Sequence, residues 1–322
     1  MIVFLMFVML IALICLNVPI AVGLAVSALF GLVVVEGLDS VVTVALDMYD
    51  GSTKFSLIAI PMFVLAGAIM NAGGITDKLI NFVHAIIGFV RGGLAMVNIG
   101  VSLFFAEISG SAVADVAALG SVLIPQMKKR GYSAPLAAAV TSSSASLAII
   151  IPPSIPMILY ATSAGTSVEQ LFVAGIVPGL LGAAGLMGMA YYFARRYNLP
   201  REEAFELKRL WVTMVEALPA FALPVIILGG IFGGFVTATE AAGLAVVAAI
   251  GVSAFYARMD FGHLKWAMID GGVQTAVVML LVAASVVMGG FLTRAQIPQE
   301  FARWILDITN NQWVILAILT VI

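Results

Sequence analysis

The sequence predicts an all-α protein that crosses a membrane many times and contains two inverted repeats. Three observations support this class. Of the 322 residues, 62% are hydrophobic and only 10% are charged, and the mean hydropathy is +1.15. Apolar stretches near the roughly 20 residues that a membrane-spanning helix needs follow one another along the chain. A pattern of elements near the N-terminus starts again in the last third of the chain.

The composition excludes several protein classes. Soluble domains carry about a quarter charged residues, so an ordinary soluble enzyme is excluded. The chain has 15 Lys and Arg residues and 17 Asp and Glu residues. Because there is no excess of basic residues, a nucleic-acid-binding protein is excluded. The single cysteine, Cys15, excludes an intramolecular disulfide framework and a cysteine metal site. We therefore expect the surface to contact a lipid bilayer.

The apolar stretches and the basic loops give the predicted topology. Stretches lie at about 2–16, 18–35, 57–73, 93–106, 113–127, 133–162, 171–194, 215–231, 238–257 and 272–290, and a last one starts near 312. Lys and Arg concentrate in the loops that face the cytoplasm, which places residues 128–130, 195–209 and 258–265 there. Segments 36–50 and 163–170 carry acids and no base, so we expect them to face outward.

Segment 93–127 has basic residues at both ends, so both ends are predicted to be cytoplasmic. Its middle, AEISGSAVAD at 106–115, is a polar turn between two apolar arms. An arm of about 14 residues rises only about 21 Å, less than the roughly 30 Å hydrocarbon core. This predicts a re-entrant helical hairpin with its tip near the middle of the membrane.

We predict that Ser109, Gly110 and Ser111 at the tip bind sodium, because glycine lets carbonyls turn toward an ion. The alternative is a tight turn that binds no ligand.

The next span, 133–162, contains a run of serines and then three prolines within five residues, which break the helix. The break frees carbonyls that suit a small hard cation and amides that suit an anion. A hairpin tip and a broken helix at one depth are typical of a secondary transporter's binding site. The alternative is that the serines only permit close packing or bond to their own helix. The predicted sodium ligands in this span are Ser144 and Ser146. The predicted substrate site consists of Ser142, Ser143, Pro152 and Pro153, and the two prolines also set the break.

Segments 21–33 and 241–253 are identical at seven of thirteen positions, at an offset of 220 residues. The order of elements also recurs, and one repeat starts outside the membrane while the other starts inside, so the repeats are inverted. The first repeat is assigned to residues 1–194, a cytoplasmic linker to 195–213, and the second repeat to 214–322.

Within the first repeat, residues 1–92 are assigned to a scaffold, and residues 93–127, 133–162 and 171–194 to the hairpin, the broken helix and a further helix. The same offset places a second hairpin tip near 327–335 and a second break near 361–376. Both positions lie beyond Ile322. We therefore expect the C-terminal part of the second repeat to be missing and the chain to hold one half of the binding site, within a protein of about 420 residues.

The sequence of the hairpin and of the broken helix resembles a known family. ISGSAVADVAALGSVLIPQMKKRGY (108–132) and AAAVTSSSASLAIIIPPSIPMILY (137–160) are similar to the large membrane subunit of TRAP transporters, the DctM-like family, and GGFVTATEAAGLAVV (233–247) is similar as well. The resemblance implies an inverted-repeat elevator-type transporter in the bacterial inner membrane, with sodium-coupled import of an organic acid anion: a C4-dicarboxylate, sialic acid or a sugar acid. It also implies a small four-helix membrane subunit and a periplasmic substrate-binding protein as partners, no cofactor besides the coupling ions, and no enzymatic activity.

Two alternatives to this function remain at the level of sequence. One is a sodium/dicarboxylate carrier that works without a binding protein. The other is an intramembrane serine hydrolase, which would need His84 or His263 within reach of Ser111. The ionisable residues Glu107 and Asp115 would each cost about 2.5–3.5 kcal/mol in lipid, so they must face protein or water, in roles that stay open. Glu240, after a threonine at the start of a helix, is predicted to be a cap.

Overall fold

The computed structural model describes residues 2–201, 205–256 and 260–321, apart from the side chains of residues 107–109 and 321. These residues form helices and connecting turns, and no strand occurs among them. The α-helices are α1 (Ile2–Cys15), α2 (Ile20–Glu36), α3 (Ser40–Ser52), α4 (Ala59–Ala72), α5 (Ile75–Ile87), α6 (Gly93–Ser109), α7 (Ala112–Lys129), α8 (Ala134–Ala145), α9 (Leu147–Ile150), α10 (Ile155–Ala164), α11 (Val168–Arg196), α12 (Leu207–Phe232), α13 (Ala238–Phe255), α14 (Phe261–Arg294), α15 (Ile297–Ile308) and α16 (Gln312–Val321), and a 3-10 turn (Phe55–Ile58) leads into α4.

Six helical stretches in the described part are long and apolar enough to cross a bilayer, judged by length and composition. They are Phe55–Ala72, Ala134–Ala164, Val168–Arg196, Leu207–Phe232, Ala238–Phe255 and Phe261–Arg294. Three shorter apolar helices, Ile2–Cys15, Ile20–Glu36 and Gly93–Ala106, accompany them. The prediction of an all-α protein that crosses the membrane many times is therefore confirmed.

Side-chain caps fix several helix starts. The Thr237 hydroxyl accepts a hydrogen bond from the Glu240 amide at 3.3 Å, and the Glu240 carboxylate accepts one from the Thr237 amide at 2.8 Å. This reciprocal pair is a capping box, which satisfies two amides that the helix leaves unpaired. The predicted role of Glu240 as a cap is confirmed. Helix α14 starts in a similar way, since the Asp260 carboxylate accepts the His263 amide at 2.7 Å.

The chain divides into two compact units. The first contains the residues up to Thr53 and those from Ala276 onward. Its core includes the buried side chains of Met6, Leu32 and Phe291. On its polar part, the Arg294 guanidinium lies 3.0 Å from an Asp47 carboxylate oxygen and 3.5 Å from one of Glu36. These ion pairs join α14 to α2 and α3.

The second unit, Lys54–Thr275, contains the predicted hairpin and broken helix. Helix α4 packs against α13, and α5 packs against α6 and α12. Helices α6 and α7 pack against each other and both pack against α8. The core here is formed by small and branched side chains such as Ile99, Ala106, Leu147 and Ile151. Small residues let the helix axes approach closely, which is the usual way helices pack in membranes.

Two helices begin earlier than the apolar pattern indicates. Helix α12 begins at Leu207, within the predicted linker, and α14 begins at Phe261, well before the predicted apolar stretch at 272–290. Backbone hydrogen bonding continues past the end of an apolar stretch, because the amides of a helix are satisfied equally well outside lipid. The hydropathy boundary therefore marks the predicted edge of the lipid rather than the end of the helix.

Candidate functional site

The segment 93–127 is interrupted at Gly110 and Ser111. Helix α6 ends at Ser109, Gly110 adopts a left-handed conformation with φ of 57°, and Ser111 is extended. The Ser111 hydroxyl then accepts a hydrogen bond from the Ala114 amide at 3.4 Å and caps α7. A left-handed residue followed by an N-cap reverses the chain direction without a long loop. The structure thus places an interruption between two helices at these two residues, and the re-entrant course of the segment through the membrane stays a prediction.

The span that follows is broken at its prolines. Helix α8 ends at Ala145, the single turn α9 ends at Ile150, and helix starts again only at Ile155. Ser154, which is fully buried, donates a hydrogen bond from its hydroxyl to the Ile149 carbonyl at 2.6 Å. A carbonyl that the break would leave without a helical partner is thus satisfied by a side chain. The predicted break near Pro152 and Pro153 is confirmed.

The hairpin tip and the helix break touch each other. The Ile155 amide donates a hydrogen bond to the Gly110 carbonyl at 3.3 Å. A Cβ atom added to Gly110 would lie 2.8 Å from the Pro153 carbonyl oxygen, so only glycine fits at this point. Gly110, Pro152 and Pro153 are buried. Two irregular backbone segments, more than 40 residues apart in sequence, therefore lie together inside the second unit.

A buried polar network lies between α6 and α8, two or more helical turns along α6 from the Gly110 contact. The Asn98 amide nitrogen donates to the Thr141 hydroxyl at 2.7 Å, and the Ser144 hydroxyl lies 3.1 Å from the Asn98 amide oxygen. The Ser102 hydroxyl in turn lies 3.0 Å from the Ser144 hydroxyl. Sequence reasoning missed Asn98 and Ser102, although two polar residues four apart in an apolar helix mark one face of it.

Asp115 is a second buried polar group near the network. Its side chain is 1% exposed, and neither carboxylate oxygen has a hydrogen-bond partner among the described residues. The Ser102 hydroxyl is its polar neighbour. The expectation that Asp115 faces protein rather than lipid is confirmed. The side chain of Glu107 lies outside the described residues.

The remaining predicted site residues lie on different faces of the broken helix. The hydroxyls of Ser142 and Ser146 are exposed and donate to carbonyls of their own helix, at 3.2 Å to Ala139 and 2.6 Å to Ser143. Ser143 lines an apolar groove between α8 and α11. The predicted ion ligand Ser109 has its side chain outside the described residues. The structure brings Gly110 to Pro153 and buries Ser144, and the binding roles of all these residues remain predictions.

Ser111 lines a cavity of about 280 Å³ that is bounded by α4, α6, α7 and α14. The cavity wall is mostly alanine, valine and aromatic, with a few polar side chains. Within the described part of the chain, no group of three or more His, Cys, Asp or Glu side chains could hold a metal ion. A cation in this cavity would therefore meet carbonyl, hydroxyl and amide oxygens and the carboxylate of Asp270, all hard oxygen donors that do not suit soft transition metals.

The two histidines pair with other groups. The Nδ1 atom of His84 lies 3.4 Å from an Arg209 guanidinium nitrogen, and that of His263 lies 2.7 Å from an Asp260 carboxylate oxygen. Both contacts lie on helices α5, α12 and α14 rather than on the hairpin or the broken helix.

Comparison with known proteins gives a consistent result. Residues 7–322 match the family described as "Tripartite ATP-independent periplasmic transporter, DctM component". The uncharacterized protein YgiK of Salmonella typhimurium is 39% identical over 308 residues, which cover 95% of this chain and 71% of YgiK. The C4-dicarboxylate TRAP transporter large permease protein DctM of Pseudomonas aeruginosa is 38% identical over 285 residues, 88% of this chain and 67% of that protein. The 2,3-diketo-L-gulonate TRAP transporter large permease protein YiaN of Escherichia coli is 39% identical over 290 residues, 88% of this chain and 68% of YiaN. By their names, the last two are transporter subunits and not enzymes.

Proposed function

The chain belongs to the DctM family of TRAP transporter large permeases and is a multi-pass protein of the bacterial inner membrane, and from this premise we propose that it imports an organic acid anion by sodium-coupled secondary transport. The observation that supports this proposal most directly is the hydrogen bond between the Ile155 amide and the Gly110 carbonyl. It joins two unwound segments inside a membrane protein, where irregular backbone is tolerated only if it is buried or lines a watery cavity.

The proposed sodium site is the hairpin tip, with Ser109, Gly110 and Ser111 as ligands. Left-handed Gly110 ends the helical ladder of α6, so carbonyls of that last turn lack the partners that a continuing helix would supply. Ser144 and Ser146 on the broken helix are the other proposed sodium ligands; Ser144 contacts Ser102, about 12 Å along α6 from the tip, so they belong to a second proposed ion position. Ser144 is held in place by its hydrogen bonds with Asn98 and Ser102, which fixes the direction of its oxygen.

The proposed substrate is an organic acid anion. The relatives from Pseudomonas aeruginosa and Escherichia coli are named for C4-dicarboxylates and for 2,3-diketo-L-gulonate. A C4-dicarboxylate, sialic acid or a sugar acid would present a carboxylate to the break, where the Met157 amide in the first turn of α10 is the candidate donor, because the Ile155 amide binds Gly110 and Pro156 has no N–H. Ser142, Ser143, Pro152 and Pro153 are the proposed substrate contacts.

The proposed mechanism is alternating access of the elevator type. The hairpin 93–127 and the broken helix 133–162 would move against scaffold helices of 1–92, and residues 214–322 would repeat this plan with inverted topology. Each sodium ion that moves inward under 100 mV supplies about 2.3 kcal/mol, so an excess of sodium over substrate charge drives uptake. A periplasmic substrate-binding protein and a small four-helix membrane subunit are the proposed partners.

The test is uptake of a labelled organic acid by the reconstituted full-length transporter complex in sodium and in choline buffers. Uptake should require sodium, and Ser109→Ala with Ser111→Ala should raise the sodium concentration for half-maximal uptake. Ser285→Ala is a matched control, because that exposed hydroxyl bonds only the carbonyl one turn earlier in α14. Undiminished uptake in sodium-free buffer would refute the coupling. Sodium-dependent uptake without any binding protein would instead favour a sodium/dicarboxylate carrier.

A further inference from the structure

The cavity beside the hairpin tip runs along several helices. On α7 it extends from Ser111 to Ser121, ten residues that correspond to about 15 Å of helix. On α14 it extends from Trp266 to Gln274, which corresponds to about 12 Å. Its length is thus about half the thickness of the hydrocarbon core. The cavity is therefore a channel-like space that reaches Ser111 at the tip.

The cavity has a defined direction. Helix α7 runs from the tip toward Lys128 and Lys129, and the first turn of α14 lies within the basic segment 258–265. Basic loops lie in the cytoplasm, so Ser121 and Trp266 mark the cytoplasmic end. Ser111 and Gln274 mark the deep end. The cavity consequently connects the cytoplasmic side of the second unit with the hairpin tip.

The charge of the cavity wall favours cations. Among the described residues that line the cavity, the half-buried Asp270 carries the one ionisable side chain, and none of these residues is Lys, Arg or His. The Gln274 side-chain amide donates to the Asp270 carboxylate at 2.7 Å and holds it in place. Asn71, Ser111 and Ser121 add amide and hydroxyl oxygens. A carboxylate without a basic partner attracts a monovalent cation and repels an organic acid anion.

We propose that this cavity is a cytoplasmic cation vestibule, through which sodium passes between the hairpin tip and the cytoplasm, with Asp270 as the charged group that concentrates the ion. The inference rests on the proposed sodium coupling. It adds a residue on α14 that the hairpin and broken-helix motifs do not include. It also separates the two solutes, because the same carboxylate opposes the entry of the anionic substrate by this route.

The test measures the electrostatics of the cavity without transport. Cys15 is the single cysteine of the chain, so Cys15→Ser gives a background for reporter thiols. In the full-length complex, Ser121→Cys should react from the cytoplasmic side, in inside-out vesicles, with charged membrane-impermeant methanethiosulfonates. The cationic reagent should react faster than the anionic one, and Asp270→Asn should reduce this ratio about tenfold. Sodium, compared with choline, should slow the cationic reagent when Asp270 is present and not in the Asn variant.

Two controls make the result specific. Asp270→Glu keeps the charge and should keep the preference for the cationic reagent. A reporter at Ser133, the exposed residue that caps α8 and is absent from the cavity lining, should show a ratio that Asp270→Asn does not change. The inference is overturned if Ser121→Cys does not react, if both reagents react equally, if Asp270→Asn leaves the ratio intact, or if sodium gives no protection. Uptake that needs no sodium, together with an intact charge preference, would instead contradict the proposed coupling alone.

Discussion

Replacing Gly110 by alanine tests whether the hairpin tip truly rests on the helix break. Gly110 has φ of 57°, and Gly165 at the end of α10 has φ of 65°, so both occupy the left-handed region. A side chain there costs about 1–2 kcal/mol at either position. At Gly165 a new Cβ would meet nothing within 4 Å. Gly165→Ala therefore measures the backbone cost alone and is the matched control.

Gly110→Ala carries a further cost. Its Cβ would lie 2.8 Å from the Pro153 carbonyl oxygen and 3.3 Å from the Ile155 amide, and both are backbone atoms that cannot rotate away. Forcing extra volume into a packed site costs about 1–3 kcal/mol. The displacement also lengthens the Ile155–Gly110 hydrogen bond, which contributes about 1 kcal/mol. We expect Gly110→Ala to lower the free energy of unfolding by about 3–6 kcal/mol, against about 1–2 kcal/mol for Gly165→Ala.

The assay is thermal unfolding of both purified variants in one detergent, followed by far-ultraviolet circular dichroism. For 322 residues, an unfolding entropy of about 2.1 cal/mol/K per residue makes about 1 kcal/mol correspond to a shift of about 1.5 °C in Tm. Gly110→Ala should therefore unfold several degrees below Gly165→Ala. Equal shifts for the two variants would show that the tip does not contact the break, and the proposed ion site would lose its geometric basis.

Three further predictions concern other parts of the chain. Asn98→Ala should lower the free energy of unfolding by about 1–3 kcal/mol in the same assay, because it leaves buried hydroxyls of α8 without their partner; an unchanged Tm would contradict the network. Thr237→Ala removes the side-chain cap of α13 and should cost about 1 kcal/mol, seen as faster amide hydrogen exchange in the first turn of that helix. The hydrogen bond from the His263 amide lowers the pKa of the Asp260 carboxyl below its usual value. The stabilisation from this cap is thus complete above the ordinary pKa of a carboxyl and is lost as the pH falls through the lowered folded-state pKa. Asp260→Asn should therefore flatten the acid side of a plot of Tm against pH. Parallel curves for the two proteins would refute the cap.

The sequence predicts the two interruptions because their causes are local. Pro152 and Pro153 remove amide donors from their own helix, and Gly110 permits a left-handed turn at its own position. These effects act within a few residues and need no knowledge of the rest of the fold. The helix starts at Leu207 and Phe261 were predicted less well, because an apolar stretch reports where lipid begins and not where hydrogen bonding begins.

The polar network could not be predicted from sequence alone. Asn98 and Thr141 are 43 positions apart, and they meet only because α6 packs against α8. The serine run shows the same limit. Successive helical residues point about 100° apart, so the sequence shows that the serines face different directions but not which one faces inward. Packing decides that Ser144 is buried and that Ser143 is exposed.

The hydrogen bond between the Gly110 carbonyl and the Ile155 amide restricts how the unit Lys54–Thr275 can open to a solute. If the hairpin swung open by itself as a lid, it would expose both groups to a water-poor interior at a penalty of about 1–3 kcal/mol for each orphaned group. The hairpin and the break are therefore expected to travel as one rigid piece. In the proposed transport cycle, the opening and closing movements would then be made by other segments, around a hairpin tip and helix break that keep their mutual contact.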